Sequence, residues 1–263
     1  MVIIKSATQI QAMRKAGLVV YDALSAAIDM VKPGVSTLEL DRAAEKVILS
    51  RGAIPSFKGY NGFPNSLCIS VDDEVVHGIP SASHILQEGS IVSLDCGAIV
   101  EGMHGDSAIT VPVGAVSDAA MKLMRETRAA FFKGIAQAIN GNRVGDISSA
   151  VQKHAESFGY GVVRALCGHG VGENLHEDPE VPNYGSAGHG LRLKPGMTIA
   201  VEPMIAAGRF PVELGQDGWR VTTRDHQIAA HYEHTLLITQ DEPVLLTVPE
   251  DKRKEFLREC RTY

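Results

Sequence analysis

The chain has 263 residues, 44% hydrophobic and 21% charged, which is enough for one large domain with a complete core. Its net charge of −6 argues against a nucleic-acid-binding surface, which is ordinarily basic. No stretch approaches the roughly 18 apolar residues of a membrane span, and the first residues lack a signal-peptide pattern. We therefore expect a cytoplasmic protein that binds neither nucleic acid nor membranes.

Capping residues mark the predicted helices. Ser6-x-x-Gln9 and Ser36-x-x-Glu39 both have the capping-box pattern, and Pro33-Gly34 should end the first helix. Apolar residues at helical spacing follow both boxes and recur in a second pair of segments. The predicted helices span residues 7–31, 36–52, 118–139 and 146–158, and a charged closing helix spans 250–260.

Short apolar runs between Gly-, Pro- and Asp-rich turns predict strands. With the helices, they indicate an α/β (α+β) fold in which helices cover one face of a curved, mostly antiparallel sheet. Four scattered cysteines without a C-x-x-C motif give no sign of a disulfide framework or a zinc knuckle. The predicted strands span residues 67–71, 91–95, 107–113, 162–166, 198–202, 219–223 and 233–239.

Five residues able to bind metal stand in or beside these runs, where a core should be apolar. Burying one lone carboxylate costs several kcal/mol unless something neutralises it. Several carboxylates buried together also repel each other. No matching set of buried Lys or Arg is visible nearby, so divalent cations are the expected compensation. The residues are Asp95, Asp106, His169, Glu202 and Glu233.

A weak internal repeat relates four of these residues in two pairs. The run from Leu86 to Asp95 aligns with that from Leu193 to Glu202, and His104-Gly-Asp106 aligns with His231-Tyr-Glu233. The repeat predicts two related halves, near residues 1–115 and 116–248, that pack about a pseudo-two-fold axis, followed by a tail over 249–263.

Carboxylates with one imidazole make an oxygen-rich site that suits Mn²⁺, Fe²⁺, Co²⁺ or Zn²⁺. Four carboxylates balance the charge of two divalent ions. A pair of ions roughly 3.5 Å apart polarises a peptide carbonyl and supplies a nucleophile at neutral pH. The pattern therefore predicts a two-metal hydrolase.

Seven short motifs follow one another along the chain: Val76-His77-Gly-Ile-Pro80, Leu94-Asp95-Cys-Gly97, His104-Gly-Asp106, Gly168-His169-Gly-Val-Gly172, Leu193-Lys-Pro-Gly-Met197, Val201-Glu202-Pro-Met204 and Tyr232-Glu233-His-Thr235. In this order they resemble the motifs of type I methionine aminopeptidases, in the compact bacterial form, from about residue 5 to about residue 248. The resemblance implies the pita-bread fold in a single catalytic domain over 1–263, and removal of the initiator methionine when the next residue is small.

The resemblance also implies roles for the metal-binding residues. Asp95 would chelate the first ion, Asp106 and Glu233 would bridge both, and His169 and Glu202 would complete the second. Glu202 would also be the general base.

Two histidines match the family's non-ligand histidines. His77 would contact the substrate backbone near the scissile amide, and His176 would donate a hydrogen bond to the tetrahedral oxyanion. His104 and His234 are expected to be supporting groups rather than catalysts.

The family's methionine pocket maps onto six positions. Residues 57–64 form a glycine-containing loop with three aromatic residues, which a loop without a function seldom carries unless it packs on a core. The expected pocket residues are Phe57, Tyr60, Phe63, Cys68, Leu175 and Trp219. Expected partners are nascent polypeptide N-termini and the ribosome, and the expected state is a monomer.

Two alternatives remain open at the sequence level. A same-fold X-Pro aminopeptidase or dipeptidase usually carries an additional N-terminal domain and another pattern after the last glutamate, whereas Glu233 is followed here by His234-Thr235. A non-catalytic scaffold of this fold would be expected to lose metal ligands, and all five are present.

Overall fold

Four helices pack against the larger of two antiparallel sheets in the computed structural model, which describes residues 2–253 and Phe256. Every predicted helix within residues 2–160 is present, with bounds shifted by a few residues. The helices are α1 (Ala7–Ile28), α2 (Thr37–Ser50), α3 (Asp118–Ile135) and α4 (Val144–Ser157).

The capping boxes form as predicted. In the first, the Ser6 hydroxyl accepts from the Gln9 N–H at 3.3 Å and the Gln9 side chain accepts from the Ser6 N–H at 2.9 Å. α4 begins at Val144, two residues before its predicted start, because the Asp146 carboxylate accepts from the Arg143 N–H at 2.7 Å and so caps the helix at Arg143. Of the predicted closing helix, residues 250–253 and 256 are helical; the remainder lies outside the described residues.

Strands form one large sheet and one small one. The longest strands are β4 (Ile91–Val100) and β5 (Met103–Pro112), which form a hairpin, and β13 (Ala229–Leu237), which lies beside β5. The strands are β1 (Ile54–Pro55), β2 (Leu67–Val71), β3 (Glu74–Val76), β4 (Ile91–Val100), β5 (Met103–Pro112), β6 (Gly161–Val162), β7 (Gly168–Gly170), β8 (Glu177–Val181), β9 (Thr198–Val201), β10 (Met204–Ala206), β11 (Val212–Leu214), β12 (Val221–Thr223), β13 (Ala229–Leu237) and β14 (Val244–Leu245).

Several strand bounds differ from the prediction. β4 and β5 are longer because a two-residue turn, Glu101-Gly102, takes positive φ at both positions and pairs the strands from Val100 and Met103 onward. β12 starts two residues late because Asp217 holds the N–H groups of residues 219 and 220 in a turn. The strands β1, β3, β7, β8, β10, β11 and β14 were not predicted; they have two to five residues each, too few for a periodic pattern.

The large sheet has the strand order β1-β4-β5-β13-β9-β7-β8, with β2 on β4, β10 and β14 on β13, and β6 on β10. β3, β12 and β11 form the small sheet. All the pairings are antiparallel, which confirms the predicted sheet type. The order brings the long strands of the two sequence repeats, β4-β5 and β9-β13, side by side in the centre.

The helices cover the sheet in two similar pairs. α1 packs on β4 and β5 with α2 against it, and α3 packs on β13 with α4 against it. The cores beneath the pairs include Leu40 and Leu94 on one side and Phe131 and Leu236 on the other. The division into halves near residue 115 stays a prediction.

Two further expectations concern membrane-spanning helices and cysteines. Among them, no helix combines the length and the apolar character needed to cross a bilayer. Cys68, Cys96 and Cys167 are free thiols, and Cys260 lies outside the described residues.

Candidate active site

Strand register places three carboxylates on one face of the large sheet. Asp95 on β4 pairs with Ala108 on β5, which pairs in turn with Glu233 on β13. Asp106 lies two residues before Ala108, opposite Gly97, so its side chain points to the same face. Glycine at position 97 lets Ser56 and Phe57 pack closely here, since a Cβ on Gly97 would lie 2.7 Å from the Ser56 side chain and 2.8 Å from the Phe57 ring.

The next strands add the remaining two predicted ligands. Glu202 directly follows β9, and Oε1 of Glu202 lies 3.4 Å from Nε2 of His169 on β7. Nδ1 of His169 lies 2.9 Å from the carbonyl oxygen of Gly170, to which it donates, so the Nε2 lone pair faces the acids. Asp106, His169 and Glu233 each offer a ligand atom within 4.8 Å of the other two.

Close backbone packing holds His169 in place. A Cβ on Gly168 would lie 2.3 Å from the carbonyl oxygen of Ala200 on the neighbouring strand, and one on Gly170 would lie 2.2 Å from the carbonyl oxygen of Asp178. Glycine on both sides of His169 therefore lets β7 approach its neighbours closely enough to bring the imidazole to the acids.

Burial raises the pKa of all four carboxyl groups. The pKa of Asp95 is raised to about 7, with burial as the main cause. Those of Asp106, Glu202 and Glu233 are raised well above their usual values by burial and then by the negative charge of the neighbouring carboxylates. Within the described part of the chain, their ion-pairing partners within 4.0 Å are histidines.

The acids also carry buried oxygen atoms without a hydrogen-bond partner. Among residues 2–253, these include Oδ1 of Asp95, Oδ1 of Asp106 and Oε1 of Glu233. A buried polar atom without a partner is costly, and a group of such oxygens beside an imidazole lone pair is the donor set of a divalent cation. The residues present therefore fit the metal that the family implies.

Every predicted site residue lines one cavity of about 260 Å³. The lining includes the five predicted ligands, the two predicted non-ligand histidines and the six predicted pocket residues. The predicted residues are Phe57, Tyr60, Phe63, Cys68, His77, Asp95, Asp106, His169, Leu175, His176, Glu202, Trp219 and Glu233; Asn61, Val76, Leu166, Cys167 and Met204 complete the lining.

Apolar side chains form one wall of this cavity. Phe57, Phe63, Cys68 and Leu175 pack in one buried cluster, and the ring of Phe63 meets Trp219 edge to face at 5.1 Å. Cys68 pairs with Asp95 across β2 and β4, so its side chain lies beside the acids. Burial raises the pKa of the Cys68 thiol, which keeps it uncharged.

His176 borders the metal ligands directly. Its ring centroid lies 4.2 Å from that of His169, and its Nδ1 lies 2.8 Å from the hydroxyl of Tyr60. Burial lowers the pKa of both His176 and His77, so each imidazole is neutral at pH 7. His77 holds a φ of 61°, a left-handed conformation that non-glycine residues seldom adopt.

His104 and His234 lie outside the cavity lining, and their supporting role stays a prediction. His104 hydrogen-bonds to the Ser56 hydroxyl at 2.9 Å, and His234 to the Ser107 and Thr247 hydroxyls at 3.0 and 2.8 Å. Burial lowers the pKa of His104 to about 4 and that of His234 to about 3.

Sequence reasoning missed His231, a buried imidazole beside the acids. Its Nε2 lies 3.7 Å from Glu202 and 3.8 Å from Glu233, and burial lowers its pKa to about 3. The signal for it was strand alternation, since a residue two positions before Glu233 on one strand must share its face. The cavity-lining residues that were not predicted carried no such signal: Val76 and Met204 lie on short strands, and Asn61, Leu166 and Cys167 lie outside the strands.

Known proteins resemble this chain over most of its length. The model of metallopeptidase family M24 matches residues 11–240. A methionine aminopeptidase from Clostridium acetobutylicum is 50% identical over 250 residues, which cover 95% of this chain and 100% of that protein. The crystal structure of a methionine aminopeptidase from Thermotoga maritima superposes with a TM-score of 0.93 at 40% identity, covering 95% of this chain and 100% of that one.

The chain therefore belongs to metallopeptidase family M24. Within that family its similarity is to the bacterial methionine aminopeptidases, which confirms the predicted pita-bread fold and the predicted class of function. A prolidase from Pyrococcus furiosus shares the fold at a lower TM-score of 0.77 and 25% identity, with 94% of this chain and 66% of that one covered.

Proposed function

We propose that this chain removes N-terminal methionine from nascent polypeptides whose second residue is small, using two divalent ions held by Asp95, Asp106, His169, Glu202 and Glu233. The observation that carries this proposal is a group of acids with buried, unpartnered oxygens, which line the same cavity as a cluster of apolar side chains. The ions expected are Co²⁺, Mn²⁺, Fe²⁺ or Zn²⁺.

The order of the strands supports a division of labour among the ligands. Asp106 and Glu233 come from the central strands β5 and β13 and would bridge both ions. Asp95 comes from β4 on one side and would bind the first ion. On the other side, Glu202 directly after β9 and His169 on β7 would complete the second. With only one imidazole in the set, the two sites are unequal.

When bound, the two ions supply Lewis-acid activation of the scissile carbonyl and of the attacking water. Glu202 is the proposed general base. Its two carboxylate oxygens lie beside different imidazoles, Oε1 beside His169 and Oε2 beside His231, so one oxygen can bind metal while the other remains free to accept a proton. A carboxylate so placed takes the proton of the water as attack begins and then delivers it to the leaving amine.

His176 is the proposed donor to the oxyanion. We infer that the Tyr60 hydroxyl donates to Nδ1 of the neutral His176 ring across their 2.8 Å contact. Nε2 then carries the proton and is available to donate to negative charge on the substrate oxygen. His77, on the loop after β3, is the proposed contact to the substrate backbone.

The apolar wall is the proposed methionine pocket. Phe57, Phe63, Cys68 and Leu175 are buried, while Tyr60 and Trp219 lie nearer to solvent. A flexible thioether side chain packs well against aromatic rings, and sulfur–aromatic contacts are favourable. The chain thus selects methionine by burying its side chain and places the scissile amide at the acids.

Other parts of the proposal concern the whole molecule. The two similar helix pairs support one catalytic domain built from two related halves. Action on nascent chains implies a cytoplasmic protein that works beside the ribosome, and we propose that it does so as a monomer.

A substrate comparison tests the proposed function. The purified protein loaded with Co²⁺ or Mn²⁺ should release methionine from Met-Ala-Ser much faster than it cleaves an X-Pro peptide. Release of free methionine and of the proline-containing product would be followed by chromatography. Faster turnover of the X-Pro peptide would assign the chain to the prolidase-like activity instead, and no turnover of either with bound metal would indicate a binding scaffold.

Trp219→Ala should weaken methionine selection. The indole packs edge to face on Phe63, so its loss opens one wall of the pocket. We expect KM for Met-Ala-Ser to rise about tenfold, on the order of 1–1.5 kcal/mol of lost contact, with kcat less affected. The control is Phe158→Ala, which removes an exposed aromatic ring on the far end of α4. Equal KM values in both variants would argue against this pocket.

A further inference from the structure

His231 is a buried polar side chain with no assigned role in the proposed reaction. It lies on β13, two residues before Glu233, and only 2% of it is exposed. Neither of its ring nitrogens has a hydrogen-bond partner among the described residues. Buried polar groups are seldom left without partners, so a residue in this state points to a role at the site it faces.

The backbone of His231 is held firmly. Its N–H donates to the Thr110 hydroxyl at 2.8 Å, and its carbonyl accepts from the same hydroxyl at 2.9 Å. His231 also pairs with Met204 on β10. Its side chain therefore projects from a rigid element with little freedom to move away from the acids.

Two carboxylates of the site lie close to the His231 ring, those of Glu202 and Glu233. Nε2 lies 3.7 Å from Oε2 of Glu202 and 3.8 Å from Oε2 of Glu233. Both distances exceed the usual hydrogen-bond length by less than 1 Å, a gap that a small rotation of either carboxylate closes.

Glu202 stands between two imidazoles that face its two oxygens. His169 is 3.4 Å from Oε1, but its Nδ1–H is committed to the Gly170 carbonyl, so its Nε2 offers a lone pair and no proton. His231 has no such commitment, so in its neutral form Nε2 can carry the N–H. Of the two imidazoles beside Glu202 among the described residues, His231 is the one in place to donate a hydrogen bond to Oε2.

We propose that His231 is a positioning residue that donates its Nε2–H to Oε2 of Glu202 and leaves Oε1 turned toward the ion on the His169 side. This rests on the proposed function, in which Glu202 is both ligand and general base. The hydrogen bond fixes the rotation of the carboxylate, and a fixed rotation determines which oxygen binds metal and which direction the base faces.

Paired substitutions test this role. Amide nitrogens of Gln and Asn stand in for Nε2 and Nδ1 of histidine, respectively, so His231→Gln keeps a donor at the reach of Nε2 and His231→Asn does not. We expect His231→Leu and His231→Asn to lower kcat about tenfold with KM nearly unchanged, and His231→Gln to stay within about threefold of the parent. The control is His154→Gln, which replaces a histidine that pairs with Glu126 on the helical layer.

A spectroscopic readout separates positioning from simple structural damage. The visible absorption of the Co²⁺-loaded protein reports the geometry of the metal ligands. It should shift in His231→Leu and His231→Asn and match the parent in His231→Gln, while calorimetric Co²⁺ affinity changes little.

Several results would overturn the proposal: parent-like kcat in the Leu and Asn variants, equal losses in Gln and Asn, or a loss of Co²⁺ affinity without a loss of kcat, which would place the contact on Glu233. If His231→Leu does not fold, the comparison of Gln with Asn decides alone. Failure of the proposed function itself would appear separately, as an absence of methionine release by the unsubstituted protein.

Discussion

Asp106→Ala should abolish methionine release and weaken metal retention. Asp106 lies on the central strand β5, 3.9 Å from His169 and in the group whose ligand atoms lie within 4.8 Å of one another. Its loss would remove a proposed bridge between the ions, and we expect a fall of at least about a thousandfold in kcat/KM, or about 4 kcal/mol. Activity and metal content after dialysis would be measured on the same sample.

Thermal unfolding gives an independent check of the Asp106 variant. A ligand that binds only the folded state stabilises it by mass action, so Mn²⁺ should raise the midpoint of the unsubstituted protein and do so much less for Asp106→Ala. The matched control is His77→Ala, which removes a proposed substrate contact from the same cavity and should keep its metal. Equal loss of metal from both variants would contradict the division into ligands and substrate contacts.

His176→Ala should reduce turnover strongly while leaving the metal centre intact. The neutral imidazole is the proposed donor to the oxyanion, and removal of one such donor usually costs about 10²–10³ in kcat. The Tyr60 contact supports this assignment because it directs the proton to Nε2. Steady-state kinetics should show the loss in kcat, with metal content equal to that of the parent protein.

Tyr60→Phe is the companion to this variant, because it removes only the hydroxyl that meets Nδ1. We expect a loss of about tenfold, smaller than that of His176→Ala, since the imidazole remains but its tautomer is no longer set. If Tyr60→Phe equals the parent while His176→Ala is impaired, the hydroxyl does not direct the tautomer. A His176→Ala variant with unchanged kcat would exclude His176 from the reaction.

Local chemistry made the helices and the long strands predictable from the sequence. Ser6 and Gln9 specify the start of α1 through their own hydrogen bonds, so no tertiary information was needed. Several of the short strands could not be predicted from local sequence. β7 is held by the close approach of Gly168 to Ala200, a contact between residues far apart in sequence, and no local pattern predicts it.

The candidate site was predictable because its residues are anomalous for a core. Acids such as Asp95 and Glu233 stand within apolar strands, and their presence there requires an explanation. The alignment of the two acids through Ala108 depends on strand register, which the sequence did not specify. His231 was overlooked for a related reason, since a histidine in an apolar strand is unremarkable until the neighbouring strand brings Glu202 beside it.

We propose that five side chains bind two unequal divalent ions and that these ions are required for methionine release. Metal-stripped protein would be titrated with Mn²⁺ or Co²⁺ in a calorimeter under reducing conditions, while Met-Ala-Ser turnover is followed at each metal ratio. We expect no activity without metal, and two binding events of different affinity per chain that Asp106→Ala weakens. Full turnover by the stripped protein, or saturation at one ion per chain at every metal concentration, would contradict the proposal.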